Sequence, residues 1–267
     1  MKLFFIVGLL TVFSGAFGWI QSNRSVVDVP QIEQNKESEN FLAADKQTVL
    51  VELFTSEGCS SCPPADKVLS ALDKNQPFPE ADIVTLSLHV DYWDSPGWKD
   101  EFSSVIFSKR QDIYSAQFRG ENYTPQMVVD GQTAFVGSDI NKARKAVLEA
   151  TKAPKAKIEL VQNQDNLKIK ITDAPAHESA TIFLAIAEDD LSSSVRGGEN
   201  FGRKLAHTSV VRELKSLGVL TAEQASLEME TAIQLQPNWK KENLSLVVFL
   251  QENQKRKIFG AAKKSAE

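Results

Sequence analysis

Cysteine is scarce in this chain. Of 267 residues only Cys59 and Cys62 carry a thiol, and there are three histidines, scattered along the sequence. Ligand count alone therefore excludes the zinc-finger and disulfide-scaffold classes. Basic residues are in deficit as well, with 30 Lys and Arg against 35 Asp and Glu, for a formal net charge of −5. Phosphate binding needs a net basic face, so the balance argues against nucleic acid as the main partner, a local basic patch aside. No Ser-His-Asp arrangement, His-Glu-x-x-His run, internal repeat or long low-complexity tract occurs. What is present is a globular composition, 42% hydrophobic and 24% charged, which excludes wholesale disorder.

The first twenty residues read as an address. Lys2 precedes an uncharged run over residues 3–20, most apolar over residues 3–13, and Ala16 and Gly18 are the small residues of a cut before Trp19. This is the layout of a secretory signal peptide. The alternative is an uncleaved membrane anchor through residues 3–20, because a run of that length just spans a bilayer. Either reading makes the chain exported, periplasmic or extracellular. Residues 21–46 are rich in Gln, Asn, Ser and Glu without an apolar period, and read as a polar linker.

The remainder falls into two halves. Over residues 47–153, strand and helix patterns alternate. Val49-Leu-Val-Glu-Leu-Phe54 is a buried strand, and Pro63-Pro64 open a helix with Val68, Leu69 and Leu72 inside. Residues 83–90 form a second strand, followed by the turn Asp94-Ser-Pro-Gly97. A helical stretch, either continuous or broken midway, is then expected, with Phe102, Ile106, Ile113 and Phe118 as its inner face. Met127-Val-Val129 and Ala134-Phe-Val136 are strands joined at Asp130-Gly131, and a last helix carries Ile140, Ala143 and Val147. The order β-α-β-α-β-β-α is that of a thioredoxin-like α/β domain.

Over residues 154–267 the pattern changes to a mainly antiparallel β domain. Ile158 and Leu160, then Leu167, Ile169 and Ile171, alternate with polar residues around an Asn163–Asn166 hairpin loop. Residues 181–187 and 246–250 read as strands buried on both faces, and residues 210–217 as a helix ended by Gly218.

Chemistry concentrates at Cys59-Ser-Ser-Cys62, between a strand and a helix. Two intervening residues let the sulfurs close a small ring, and free N–H groups at a helix start favour a thiolate at Cys59. An inert disulfide is the bland alternative, but so short a ring stabilises a fold little. Tyr123-Thr-Pro-Gln126 stands just before the third strand. In thioredoxin-like domains a cis proline at this place faces the Cys-x-x-Cys, so Thr124 and Pro125 are candidates for positioning a partner's extended backbone.

These runs, with Phe54-Thr-Ser-Glu-Gly58, Pro63-Pro-Ala-Asp66, His89-Val-Asp-Tyr-Trp-Asp94, Gly97-Trp-Lys-Asp100 and Met127-Val-Val-Asp-Gly131, resemble a bacterial exported thioredoxin-like family, domain of unknown function 1223. The likeness extends more loosely through Gly198-Glu-Asn-Phe-Gly202, His207 and Val210-Val-Arg212. It implies a fold and a membership, and no substrate. Ordinary thioredoxins differ: Gly58 replaces the tryptophan before the first cysteine, and a Ser-Ser pair separates the two thiols. Glu52 lies one residue further from Cys59 than the buried acid of many thioredoxins. It is either a proton acceptor for Cys62 or a solvent-facing strand residue.

His89, Asp91, Tyr92 and Trp93 cluster at the end of the second strand, a rim where α/β sheets form sites. His89 is a candidate to lower the Cys59 pKa, and the aromatics to line a peptide groove with Trp98; packing is the alternative for each. Arg196, Arg203, Lys204, His207 and Arg212 surround Gly197-Gly198 and Gly202, which read as a solvated loop, with anion or partner binding as the rival.

Three functions follow. In the first, Cys59 attacks and Cys62 resolves in a thiol–disulfide oxidoreductase or redox folding factor, whose partners are exported proteins or a redox protein and which needs no diffusing cofactor. The second is a copper or zinc carrier through Cys59, Cys62 and His89. The third is a non-catalytic binding module with a structural disulfide.

Overall fold

Continuous burial marks the centre of the molecule. In a computed structural model that describes residues 46–266, β1 (Gln47–Thr55) and β2 (Ala81–His89) are parallel neighbours with almost every side chain buried. The signal or anchor segment and nearly all of the linker, residues 1–45, lie outside the described residues. Strands covered on both faces need apolar residues at consecutive positions, and both strands supply them.

Between β1 and β2 runs α1 (Cys62–Asn75), and α2 (Val105–Phe118) leads to β3 (Gln126–Val129), β4 (Thr133–Val136) and α3 (Ile140–Ala150). The elements up to residue 150 thus follow the order that the sequence pattern predicts. At the β3–β4 hairpin Asp130 and Gly131 both take positive φ, 46° and 67°, as a tight hairpin turn requires.

The second half adds β5 (Lys157–Asn163), β6 (Asn166–Thr172), β7 (Ala180–Glu188), β8 (Leu191–Ser194), β9 (Lys204–His207), β10 (Val210–Leu220), β11 (Leu227–Ala232), β12 (Leu244–Glu252) and β13 (Ile258–Ser265). Its pairings are antiparallel, apart from a single parallel step where Val210 meets Ser87. The fold is mixed α/β. One eight-stranded sheet runs β13-β12-β7-β10-β2-β1-β3-β4, and β11-β6-β5 and β8-β9 form smaller antiparallel sheets. Four strands of the large sheet come from each half, so the sheet continues across residues 153–154, which lie between α3 and β5.

Strand alternation sorts three cores. Leu50, Phe54, Leu86 and Leu88 pack with Phe107 and Tyr114 of α2 and with Val247 and Phe249. On the opposite face Val51 and Leu53 meet Ala65, Leu69 and Leu72 of α1 and Val147 of α3. Further along that face, Ile182, Leu184, Val248 and Leu250 are covered by Leu167, Ile169 and Ile171 of the three-stranded sheet. Truncating a fully buried residue such as Phe249 to alanine costs about 3–5 kcal/mol.

Two elements differ from expectation. Residues 210–217 are not helical but belong to β10, a strand enclosed by β7 and β2. Register shifts at Val211/Glu213 and Ser216/Gly218 disturb its alternation, and this spacing imitates a helical stripe. In α2 the helix is unbroken, and Ile106 and Ile113 face outward while Phe107, Arg110, Gln111, Tyr114 and Ser115 are buried. Its inner face is partly polar because the sheet beneath it presents Glu52 and Gln126, which require partners.

Candidate functional site

Cys59 and Cys62 form a disulfide with Cα atoms 5.5 Å apart, Cys62 being the first residue of α1. Pro63 and Pro64 fill the first turn, where proline removes no intrahelical bond. Ser61, at the N-cap, makes no capping bond; its Oγ instead lies 3.3 Å from Cys59 Sγ and donates to the Thr124 carbonyl at 3.5 Å. The Thr124–Pro125 bond is cis. Trp93 Nε1–H donates to Thr124 Oγ1 at 2.8 Å and ties that segment to the end of β2. The cysteine loop, Thr124, Pro125 and Trp93 therefore meet in space.

Both cysteines are buried, 1% and 0% exposed, whereas Ser60 and Ser61 are open to solvent. The glycine-rich stretch is largely solvent-exposed, as a solvated loop would be, and is the tip of the β8–β9 hairpin; Gly198, Glu199 and the buried Asn200 brace it against the cysteine loop. Glu199 N–H donates to the Gly58 carbonyl at 2.9 Å, and Asn200 Nδ2 donates to the carbonyls of Glu57 and Cys59 at 2.9 and 2.8 Å. The Glu199 carboxylate accepts from Ser60 N–H at 2.9 Å and from Ser60 Oγ–H at 2.6 Å. Gly198 has φ +69°, and a Cβ there would stand 2.7 Å from Gly58 Cα, so this approach requires glycine. Of the basic residues around the loop, Arg203 bonds Asn200 Oδ1 at 2.6 Å, while Arg212 pairs with Glu188 and lies over Phe102 and Trp239. Phe201 at the tip is 74% exposed.

Beneath the loop is a buried polar cluster drawn from both halves. His89 Nδ1 bonds Asp100 Oδ2 at 2.8 Å, and the same oxygen accepts Glu57 N–H at 2.9 Å. His207 Nε2 lies 3.2 Å from Ser193 Oγ and 3.3 Å from Glu57 Oε1. The rings of His89, His207 and Phe102 meet edge to face at 5.1–5.3 Å. Glu57 Oε1, His89 Nε2 and His207 Nδ1 make no hydrogen bond. Burial pulls the His89 pKa down, but the charge and hydrogen bond of Asp100, helped by Asp66 and Glu57, reverse this and leave it raised. Asp100 feels the converse: burial lifts it, and His89 with two backbone N–H donors bring it to about 2. Burial raises Asp66, whose Oδ1 accepts from Thr55 at 2.9 Å.

Glu52 fits neither expectation held for it. It is fully buried on the α2 face of the sheet, opposite α1, and is bound by Arg110 Nε at 2.5 Å, Arg110 Nη2 at 3.0 Å and Tyr114 Oη at 2.5 Å. Asp91 accepts from Ser108, and the Tyr92 hydroxyl donates to Gln111 at 3.0 Å, so both turn toward α2. Burial pushes the Tyr92 pKa up to about 12. Among the described residues no cluster of three His, Cys, Asp or Glu stands at metal-ligand spacing, and the Cys59, Cys62 and His89 set is not assembled. His89 instead bonds Asp100 through Nδ1, and both sulfurs are in the disulfide. Glu57, Asp100, Glu199 and Asn200 escaped reasoning on single motifs. The only signal was that the family resemblance took in the three runs that hold them, residues 54–58, 97–100 and 198–202.

Fold and site define a mixed α/β protein with a braced strand–helix disulfide. The chain belongs to the family described as protein of unknown function (DUF1223), whose profile matches residues 50–251. None of the curated proteins matches it. A crystal structure of an Agrobacterium tumefaciens protein is similar, with 26% identity and a TM-score of 0.67 over 83% of this chain and 95% of that one. HBP35 of Porphyromonas gingivalis shares the fold at 14% identity and a TM-score of 0.54, over 83% of this chain and 76% of that one. Among the described residues no helix is long and apolar enough to cross a membrane.

Proposed function

We propose that the chain is an exported thiol–disulfide oxidoreductase whose first half is thioredoxin-like. The observation that carries this reading is the Cys59–Cys62 disulfide at the start of α1, with the Thr124 carbonyl 3.5 Å from Ser61 Oγ. In this reading a partner's cysteine brought in along Thr124 and Pro125 pairs with Cys59, which lies in the loop before α1, whereas Cys62 is the first residue of the helix. In the reduced protein the Cys59 thiolate attacks one sulfur of a partner disulfide. A mixed disulfide forms and the partner's other sulfur leaves as a thiolate that takes a proton from water. Cys62, deprotonated to water, then attacks Cys59 Sγ, releasing the second partner sulfur as a thiolate. The partner gains two electrons and the Cys59–Cys62 disulfide re-forms; the reverse sequence oxidises a partner dithiol.

The test is trapping. Cys62→Ser should accumulate mixed disulfides with other exported proteins, visible on non-reducing gels, and Cys59→Ser/Cys62→Ser should accumulate none. A reduction potential far below about −300 mV with no trapped partner would overturn the reading. Burial of both sulfurs favours one rival, a binding module with a structural disulfide. That module would retain its partner with both cysteines replaced.

A further inference from the structure

The N–H groups of Cys59, Ser60 and Cys62 are all engaged. Cys59 N–H donates to the Ser56 carbonyl at 3.3 Å and Cys62 N–H to the Cys59 carbonyl at 3.2 Å. Ser60 N–H and Ser60 Oγ–H, beside Cys59, both point at Glu199 Oε2. An anion from the second half of the chain thus engages both donors of the residue next to Cys59, leaving Ser61 Oγ, 3.3 Å from the sulfur, as the hydroxyl beside it. The two Ser60 donors, side chain first, hold the Glu199 carboxyl below its ordinary range, so it is charged at neutral pH.

We propose that in the reduced protein Glu199 restrains Cys59, holding its thiolate fraction and hence its nucleophilicity down while the β8–β9 tip is seated. The mechanism is electrostatic: a fixed negative charge beside Ser60 opposes a second negative charge on the adjacent sulfur and engages both donors of the residue next to it. Glu199 acts through Ser60 and is a positioning residue. Asn200, bonded to the Glu57 and Cys59 carbonyls and held by Arg203, keeps the carboxylate in register. A partner that lifts the tip removes the charge and frees the Ser60 donors together. Attack by Cys59 is thereby coupled to docking on the second half. This inference rests on the reading of Cys59 as the attacking sulfur.

The experiment is a thiolate titration by absorbance at 240 nm on the full chain carrying Cys62→Ser, where Cys59 alone remains. Glu199→Gln keeps an oxygen for both Ser60 donors and removes the charge. Its half-point should fall, raising the thiolate fraction below both half-points ~fourfold, the size expected for one solvent-screened charge a few ångströms away. Glu57, Asp66, Asp100, His89, His207 and Arg203 also lie around the loop but are common to both proteins, so the difference isolates Glu199. Added salt should lower the half-point of the chain with Glu199 and move the Gln variant less. An unchanged or raised half-point in the variant overturns the proposal. Should the variant fail to fold, a salt-insensitive or rising half-point with Glu199 present does the same. Failed trapping with a shifted half-point would overturn the oxidoreductase reading alone, whereas successful trapping with a flat titration would overturn only the role of Glu199.

Discussion

Two buried charged clusters sit on opposite faces of the same sheet and are built in different ways. Under α2, Glu52 is bound by Arg110 and Tyr114, and Gln251 closes the set through Arg110 Nη1 at 3.1 Å and Tyr114 Oη at 2.8 Å. The Arg110 guanidinium also lies 5.1–5.3 Å from the rings of Tyr114, Phe183 and Phe249. Burial would lower the Arg110 pKa, but the Glu52 charge more than offsets this, and the guanidinium stays protonated. The cluster under the cysteine loop keeps three polar atoms without hydrogen bonds. A closed network fixes two halves of a chain together, whereas an open one beside a disulfide retains groups able to take or lose a proton.

The comparison can be broken at three points, in falling order of effect. Arg110→Met strands the Glu52 carboxylate and should cost about 3–5 kcal/mol in urea unfolding, much of it restored in Glu52→Gln/Arg110→Met. Equal stability of single and double variants would show the pair to be unimportant. His89→Asn retains a donor for Asp100 but cannot titrate. It should cost about 1–3 kcal/mol at pH 6. The sign follows from the direction of the shift. A histidine raised above 6.5 in the folded state contributes fully below that pH and loses its contribution as pH rises through the raised value. The gap between wild type and variant should therefore narrow toward alkaline pH, and a constant gap would refute the assignment. Ser193→Ala, which removes one contact from a network already short of partners, should cost only about 0.5–1.5 kcal/mol by thermal melting. A loss as large as that of Arg110→Met would erase the distinction.

Local pattern carried the first half of the fold. Apolar runs marked β1 and β2, Pro63 and Pro64 marked the start of α1, and Asp130-Gly131 marked the hairpin. Where the structure departs, tertiary pairing overrides local spacing. The bulges of β10 produce a helix-like stripe, and α2 turns Arg110 and Gln111 inward because Glu52 and Gln126 await them. The disulfide was legible from a two-residue gap. Its cover was not, because nothing local to Glu57 or Cys59 refers to Asn200, more than 140 residues away. Nor was the joining of β10 to β2, a single bridge between distant segments.

That distance orders events when the chain is made. Cys59 and Cys62 emerge from the ribosome well before residues 198–200, which must follow as β8 and β9 pair. For an interval the nascent cysteine loop stands without Glu199 and Asn200 against it, and seating of the hairpin tip then closes the interval. Burial of this pair is thus a late event, set by the second half of the chain as much as by the loop that carries the sulfurs.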